Sequence, residues 1–292
     1  MTAARLAGAA LLLALAGCAS TGPSALAPHL AGNFTPPLLM LLGEVHDNAA
    51  QPAQRLQRLR QALDYGARPA LLMEQFDRER QPQIDHLLAG AAHPRSLAQV
   101  QALSDQLEAL AGGAQAGWDW ALYRPLIHLA LQQGLPLVAA NVSRGDVRAV
   151  IQQGLAARGF EAAVPADILA AQAAVIEASH CGQVDAAGAR RMAQAQVARD
   201  QFMARQLVAH AAGGAVLLAG NGHVRKDLGV PRWLPLELQV RSRVIGFLEG
   251  DATPDAGAFD EVVPSPAQPR VDPCAAMRSA PPAAKGASGS GN

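Results

Sequence analysis

Aromatic residues make up only 4% of this sequence and charged residues only 16%. Lysine plus arginine total 24 and aspartate plus glutamate 24, so the formal net charge is zero. A balanced surface carries no electrostatic footprint for a phosphate backbone, and no nucleic-acid partner is expected. Several motifs are missing as well. There is no Walker loop, so a nucleotide phosphate site is not indicated. There is no G-x-S-x-G elbow, so a serine nucleophile on such an elbow is unsupported. There is no C-x-x-C-H, which excludes covalently attached haem. No segment has the length and continuous apolarity of a mature membrane span. There are only two tyrosines, Tyr65 and Tyr123, and three cysteines.

What is present begins at the N-terminus. Arg5 provides a positive start and Leu6 to Leu15 an apolar stretch too short for a comfortable membrane span. Leu15-Ala16-Gly17-Cys18 follows and resembles a bacterial lipobox. The expected organisation is a signal peptide over 1–17, then lipidated Cys18 (a palmitate-type anchor) and a tether over 18–37. An α/β domain over 38–262 and a disordered Pro/Ala/Gly/Ser tail over 263–292 complete the chain. By resemblance to bacterial lipoproteins, Ala19 carries no inner-membrane retention signal, which implies the bacterial outer membrane as the expected location, held by the lipid. In an oxidising envelope the other two cysteines, Cys181 and Cys274, are expected to pair, two free thiols being the alternative.

With 292 residues, half of them hydrophobic and many of those alanine, the chain can build one substantial core or two small ones. Its organising stretch is Leu38 to Asp47, LLMLLGEVHD. A short continuous apolar run suits a strand buried on both faces, as in a parallel sheet. Three further runs behave alike: Ala70–Glu74, Leu135–Asn141 and Ala215–His223 each end in a polar group. The expected class is α/β, with a mostly parallel central sheet flanked by helices and long alanine-rich helices in the second half. Asn48 reads as the N-cap of a helix over about 49–65, whose apolar face is Leu56, Leu59 and Leu63, with Arg55 elsewhere. Trp118 to Gln133 reads as one helix, kinked or truly begun at Pro125. Ala166–Ser179 and about 187–211 are the alanine-rich helices, and Val244–Leu248 a last strand.

In parallel sheets ligands sit beyond the carboxyl ends of the strands. Glu44, His46, Asp47, Glu74, Asn141 and His223 therefore fall where such a sheet places its site. Gly43-Glu44-Val45-His46 and Gly220-Asn221-Gly222-His223 both read G-x-x-H directly after a strand. His46 and His223 with Glu44 or Glu74 match the ligand count of a divalent metal such as zinc or manganese. The same groups without a metal suit general acid–base ester hydrolysis. The plain alternative is hydrogen-bonded polar residues at strand ends. Arg144 is expected to hold a carboxylate or grip an anionic group, or else to be a solvated residue at a helix start. Arg199 and Asp200 read equally as pocket residues or as an exposed helical pair. Tyr123, beside Arg124, reads as a core-edge aromatic or as a donor.

The stretches GEVHDN, LLMEQFDR, WALYRPL, LVAANVSR, QVARDQFMA and LLAGNGHVRKDLGVP, in that order, resemble the ChaN family of haem-binding uptake lipoproteins. The resemblance spans about residues 35 to 250. It extends to the wider superfamily of Tiki, TraB and erythromycin-esterase-like proteins. It implies an α/β fold, haem binding in iron or haem uptake with a tyrosine ligand in some members, and homodimers enclosing haem. An outer-membrane receptor is a further implied partner. Tyr123 is then the expected haem ligand, with Arg124 and Arg144 at the haem carboxylates. Glu44, His46, Glu74, Asn141 and His223 match the superfamily pocket. The alternative is a metal-dependent hydrolase built on the paired G-x-x-H motifs.

Overall fold

A computed structural model describes residues 38–90, 95–272 and 274–275. The expected signal peptide, Cys18 and the tether lie outside the described residues. Among the described residues six strands form one all-parallel sheet in the order β3-β2-β4-β1-β5-β6. They are β1 (Leu39–Leu42), β2 (Ala70–Asp77), β3 (Leu137–Asn141), β4 (Ala215–Leu218), β5 (Ser242–Glu249) and β6 (Glu261–Ser265). Every residue of β1, β3 and β4 is buried, which is why these strands read as unbroken apolar runs.

Alternate side chains feed two cores. Met40, Leu42, Leu71, Met73 and Leu218 pack with α1 (Gln51–Asp64), α2 (Gln81–Ala89), α3 (Leu97–Leu110) and α4 (Arg124–Gln133). Leu39, Leu41, Leu72 and Leu217 pack with Met203 and Leu207 of α7 (Ala186–His210). Burial of each such side chain contributes about 1.5–3 kcal/mol. Strand order explains the split. The chain crosses the sheet one way from β1 to β3 and returns the other way from β3 to β6. Right-handed connections then place the two helix sets on opposite faces. The α5 (Arg144–Gln153) and α6 (Ala166–Ser179) helices pack around α7. Two short helices, α8 (Asn221–Val224) and α9 (Leu236–Gln239), follow β4. Among the described residues no helix is long and apolar enough to cross a membrane.

Register positions the site. Leu42 lies level with Leu218 and Ile245, and Leu218 level with Met73. The residues that follow (Gly43-Glu44, Glu74 and Ala219-Gly220) therefore emerge side by side. At Met73–Asp77 the β2–β3 pairing skips, which frees the Glu74 carbonyl from the ladder. The Asn141 side-chain amide donates to that carbonyl at 3.0 Å.

Four local expectations change. Asn48 is not the cap of α1: Ala50 is, and Asn48 Oδ1 accepts from the Ala50 N–H at 2.9 Å while its amide donates to Glu249 and Pro266. Trp118–Gln133 is not one helix. A 3-10 turn at Trp120–Leu122 precedes α4, whose first turn holds Pro125, where the missing N–H costs nothing. The sequence after Ser143 reads as a helix to about 157, but α5 stops at Gln153 because Gly154 turns the chain at φ 86°. The expected tail boundary at 262 falls inside β6, which pairs with β5 along Ile245–Glu249. Pro264 is tolerated there because β6 is an edge strand.

Beyond β6 the chain stays attached. Arg270 forms a two-pronged contact with Asp47 at 2.5 and 2.6 Å and another with Glu249 at 2.5 and 2.8 Å. Cys274 is joined by a disulfide to Cys181 in the α6–α7 turn, with Cα atoms 5.6 Å apart. Cys181 holds a left-handed backbone conformation at φ 57°.

Candidate functional site

Beyond the carboxyl ends of β1, β2, β3 and β4 lies a cavity of about 620 Å³. His46, Glu74, Asn141, Arg144, Arg199 and His223 line it, together with Gln75, Asp77, Arg80, Gln196 and Trp118. It forms where connections leave the sheet to opposite faces, at a topological switch point.

Glu44 is its buried anchor. Its carboxylate accepts from the Arg55 guanidinium, from the Tyr123 hydroxyl at 2.8 Å and from the Gln75 amide at 3.2 Å. The His46 Nδ1 completes the set at 2.7 Å. A carboxylate only accepts, so Nδ1 of His46 carries the proton and Nε2 remains an acceptor. The His46 ring meets Trp118 edge to face at 4.9 Å. His223 repeats the device. Its Nδ1 donates to the buried Asp200 at 2.6 Å, and Asp200 accepts from Gln172 at 3.3 Å. Its Nε2 lies 3.6 Å from Glu74. Glu74 in turn accepts the Gly220 N–H at 2.8 Å.

Charges follow this geometry. Burial pulls the His46 imidazole down, but Glu44 and Glu74 outweigh it and hold its pKa above the ordinary 6.5. His223 is likewise raised, because Glu74 and Asp200 flank it against the pull of burial. Burial pushes Asp200 up to about 6. Burial also works on Glu74, yet the two imidazoles hold it below its usual range. Asp200 and His223 thus titrate as a coupled pair.

The two G-x-x-H motifs brace each other. A Cβ on Gly43 would collide with Asn221, which β5 fixes through the Phe247 carbonyl (2.6 Å) and N–H (3.2 Å). A Cβ on Gly220 would come 3.0 Å from His46 Nε2. Each motif's glycine therefore makes room for the other motif. Gly43→Ala is expected to cost about 1–3 kcal/mol, since Asn221 has nowhere to go. Gly220→Ala should cost less than about 1 kcal/mol, because the half-exposed His46 ring can swing away. Thermal unfolding of both variants, with the His46 imidazole resonance followed by NMR, tests this contrast. A stability loss in Gly220→Ala equal to that in Gly43→Ala contradicts it.

Three expected site residues lie elsewhere. Asp47 turns outward to Arg270 and does not line the cavity. Arg124 is the first residue of α4 and is tied to Glu108 and Asp105. Tyr123 is fully buried behind Glu44, not at the cavity wall. Burial and the adjacent carboxylate push its phenol far above the usual range, which disfavours a phenolate there. Glu44 has no free oxygen for a metal, since four donors occupy it. Among the described residues no group of three or more His, Cys, Asp or Glu side chains is placed to hold a metal ion.

Other contributors carry little signal in the sequence. Arg55 is 1% exposed and joins Gln51 and Leu59 on the buried face of α1. Its spacing of four from Leu59 is the one available sign. Gln75 and Asp77 lie past the apolar run of β2, where the strand continues unannounced. Arg80 sits on the turn after β2, and nothing in its local sequence marks it.

Residues 37–234 match a family model described as "Haem-binding uptake, Tiki superfamily, ChaN". No curated protein matches the chain significantly. Among solved structures, "Cofacial heme binding to ChaN of Campylobacter jejuni" is similar at 17% identity and TM-score 0.60, covering 77% of this chain and 86% of that one. The type III effector HopBA1 is similar at 15% identity and TM-score 0.44, covering 79% and 88%. A mutant of the erythromycin esterase EreC in its open conformation is similar at 14% identity and TM-score 0.43, covering 76% and 74%.

Proposed function

This chain belongs to the ChaN family of haem-binding uptake proteins in the Tiki superfamily, and from that premise we propose that its cavity binds haem through His46. The observation that supports this reading is the state of the His46 ring. Nδ1 keeps its proton and donates it in a hydrogen bond to Glu44, which leaves the Nε2 lone pair free toward the cavity, and Trp118 supplies an apolar wall. An oriented imidazole backed by a carboxylate would suit iron held in the cavity. Tyr123 serves instead as a hydrogen-bond donor to Glu44. The lipobox-like Leu15-Ala16-Gly17-Cys18 and the disulfide support a lipid-anchored protein of an oxidising bacterial envelope, placed at the outer membrane.

Titration with haemin is expected to give a saturable Soret shift. His46→Ala should abolish that shift. Tyr123→Phe should keep it while losing about 1 kcal/mol of stability with the buried hydroxyl bond. A protonated Nε2 cannot bind iron, and the His46 pKa is raised. Haemin affinity is therefore expected to fall as pH drops through the raised His46 pKa, with the break in its pH profile above 6.5. A Soret shift that survives in His46→Ala but vanishes in Tyr123→Phe overturns the ligand assignment. No shift at all overturns haem binding.

A second reading rests on the other imidazole. Both Nε2 atoms and Glu74 share the cavity, and His223 is held as firmly as His46. Haem coordination through His46 does not need that. These three side chains are not grouped as they stand; drawn together they would hold a zinc or manganese ion, which would supply carbonyl polarisation and an activated water. Metal retention after purification, lost in His223→Ala, together with ester turnover, would favour this hydrolase. Absence of both disposes of it.

A further inference from the structure

The carboxyl ends of the strands carry the cavity, and their amino ends carry a surface of another kind. Among the described residues eight large apolar side chains are exposed, and five of them belong to this second end: Tyr65, Leu97, Val208, Leu236 and Val240. The connections explain why. Helices α1, α4, α7 and α9 each lead into the next strand, so each finishes at the amino end of the sheet. Tyr65, Val208 and Val240 lie at or next to such finishes. Leu97 opens α3 beside the finish of α4, where Arg95 donates to the Leu131 carbonyl at 2.8 Å. Exposed apolar residues scattered singly need no explanation, whereas a set gathered at one end does.

Backbone hydrogen bonds set most of this end in one row. The Leu38 N–H donates to the Arg241 carbonyl, the Ala215 N–H to the Leu38 carbonyl and the Ala70 N–H to the Gly214 carbonyl, each at 3.0 Å. Strands β2, β4, β1 and β5 are neighbours in that order, so the starts of β2 and β5 stand about 14 Å apart at the usual strand spacing. Leu236 and Val240 are 71% and 74% exposed. They stack one helical turn apart, the Val240 N–H bonding the Leu236 carbonyl at 3.1 Å.

The charges at this end nearly cancel. Arg68 and Arg241 are exposed. Arg68 bonds the carbonyls of Leu63 and Ala67, and Arg241 has no side-chain partner among the described residues. Exposed Asp64 and Glu237 offset them, while Arg232 and Arg243 are tied to Asp167 and Glu261. An apolar cluster with two available guanidiniums and no surplus charge suits a zwitterionic phospholipid surface, where apolar side chains enter the interface and guanidiniums meet phosphates. Connectivity favours the same occupant. The chain joins the domain at Leu38, within this end, and residues 18–37 connect it to Cys18.

Resting on the lipid-anchored reading of Cys18, we propose that the amino end of the sheet, centred on Leu236 and Val240, lies against a phospholipid bilayer with Arg68 and Arg241 at its phosphates. A lipid chain tethers without orienting; this surface supplies the orientation. The cavity, at the other end of the same strands, then opens away from the membrane.

The test uses the full lipid-carrying chain in vesicles of equal phosphatidylethanolamine and phosphatidylcholine, the latter with brominated acyl chains. With Cys181 and Cys274 bridged and Cys18 lipidated, one introduced thiol takes a bimane label. Glu237→Cys places it on α9 and Gln115→Cys at the cavity, both at exposed positions. Bromine is expected to quench the α9 label at least about threefold more than the cavity label, because interfacial burial reaches only the first side chains. Leu236→Ser/Val240→Ser alters exposed side chains only, so it should fold normally and lower α9 quenching to the cavity level. Equal quenching at the two positions, or α9 quenching indifferent to the double variant, overturns the surface. Shielding of the α9 label from aqueous iodide without bromine quenching would put protein on this face, a second copy included, and overturns it too. A mature chain whose mass shows no lipid on Cys18 strikes the anchor instead; the same vesicles added in excess then still decide the surface, by quenching the α9 label or leaving it bright.

Discussion

Glu44→Ala is expected to destabilise the protein by about 3–5 kcal/mol, the usual consequence of removing one partner from a buried ion pair. Arg55 is 1% exposed and its guanidinium meets Glu44 inside the core. Without the carboxylate the cation stays buried with no counter-charge, and the Tyr123 hydroxyl and Gln75 amide lose their acceptor as well. For a domain of this size the melting temperature should fall on the order of 10 °C. The sensitivity comes from the unpaired charge rather than from any strength of the ion pair. Replacing both members with apolar residues, as in Glu44→Leu/Arg55→Met, should therefore recover most of the loss. Urea unfolding of the two single variants and the double variant measures the coupling. A Glu44→Ala cost below about 1 kcal/mol would mean that water reaches Arg55 and that no sealed centre exists. Glu44→Gln keeps an acceptor for Tyr123 but removes the charge, and should fall between wild type and alanine.

The second large effect belongs to the disulfide. Cys181 and Cys274 are separated by 93 positions. In the chain-entropy treatment a loop of that length is worth about 4–5 kcal/mol. Cys181→Ser/Cys274→Ser, or reduction with dithiothreitol, should lower stability by an amount of that order. The bond also governs a local event. With it broken, the segment after β6 depends on Arg270, whose contacts with Asp47 and Glu249 are exposed and therefore screened by salt. Trypsin should then cut after Arg270 readily in the reduced protein, more so at high ionic strength, and slowly in the oxidised one. Identical cleavage rates in the two states would show that the bridge does not fasten the segment.

How far the sequence discloses this architecture depends on the range of each interaction. Leu39–Leu42 and Ala215–Leu218 are legible as strands because burial on both faces removes every polar residue from them. The histidines at their ends follow from the general placement of sites in parallel sheets. Arg55 is illegible because a guanidinium looks solvated until its partner is known, and that partner arrives from β1. Tyr123 is illegible for the same reason: its hydroxyl meets Glu44 across 79 positions of chain. Asp47 is misleading by proximity, since its neighbour His46 turns inward and it turns out to Arg270, 223 positions away. The β6 strand is hidden because five residues containing a proline carry little strand signal, and only the free edge of β5 gives them a partner.

Local patterning alone established the class of fold, the level at which the polar groups leave the sheet, and the two histidine motifs, because burial imposes its period on every short segment. Partnership had to wait for the folded chain. Which carboxylate orients which imidazole, which arginine is neutralised and which stays open to a ligand, and whether a tyrosine faces a cavity or a buried acid all depend on register between distant strands. A hydrogen bond spans about 3 Å, whereas the groups it joins here lie tens to hundreds of positions apart in sequence.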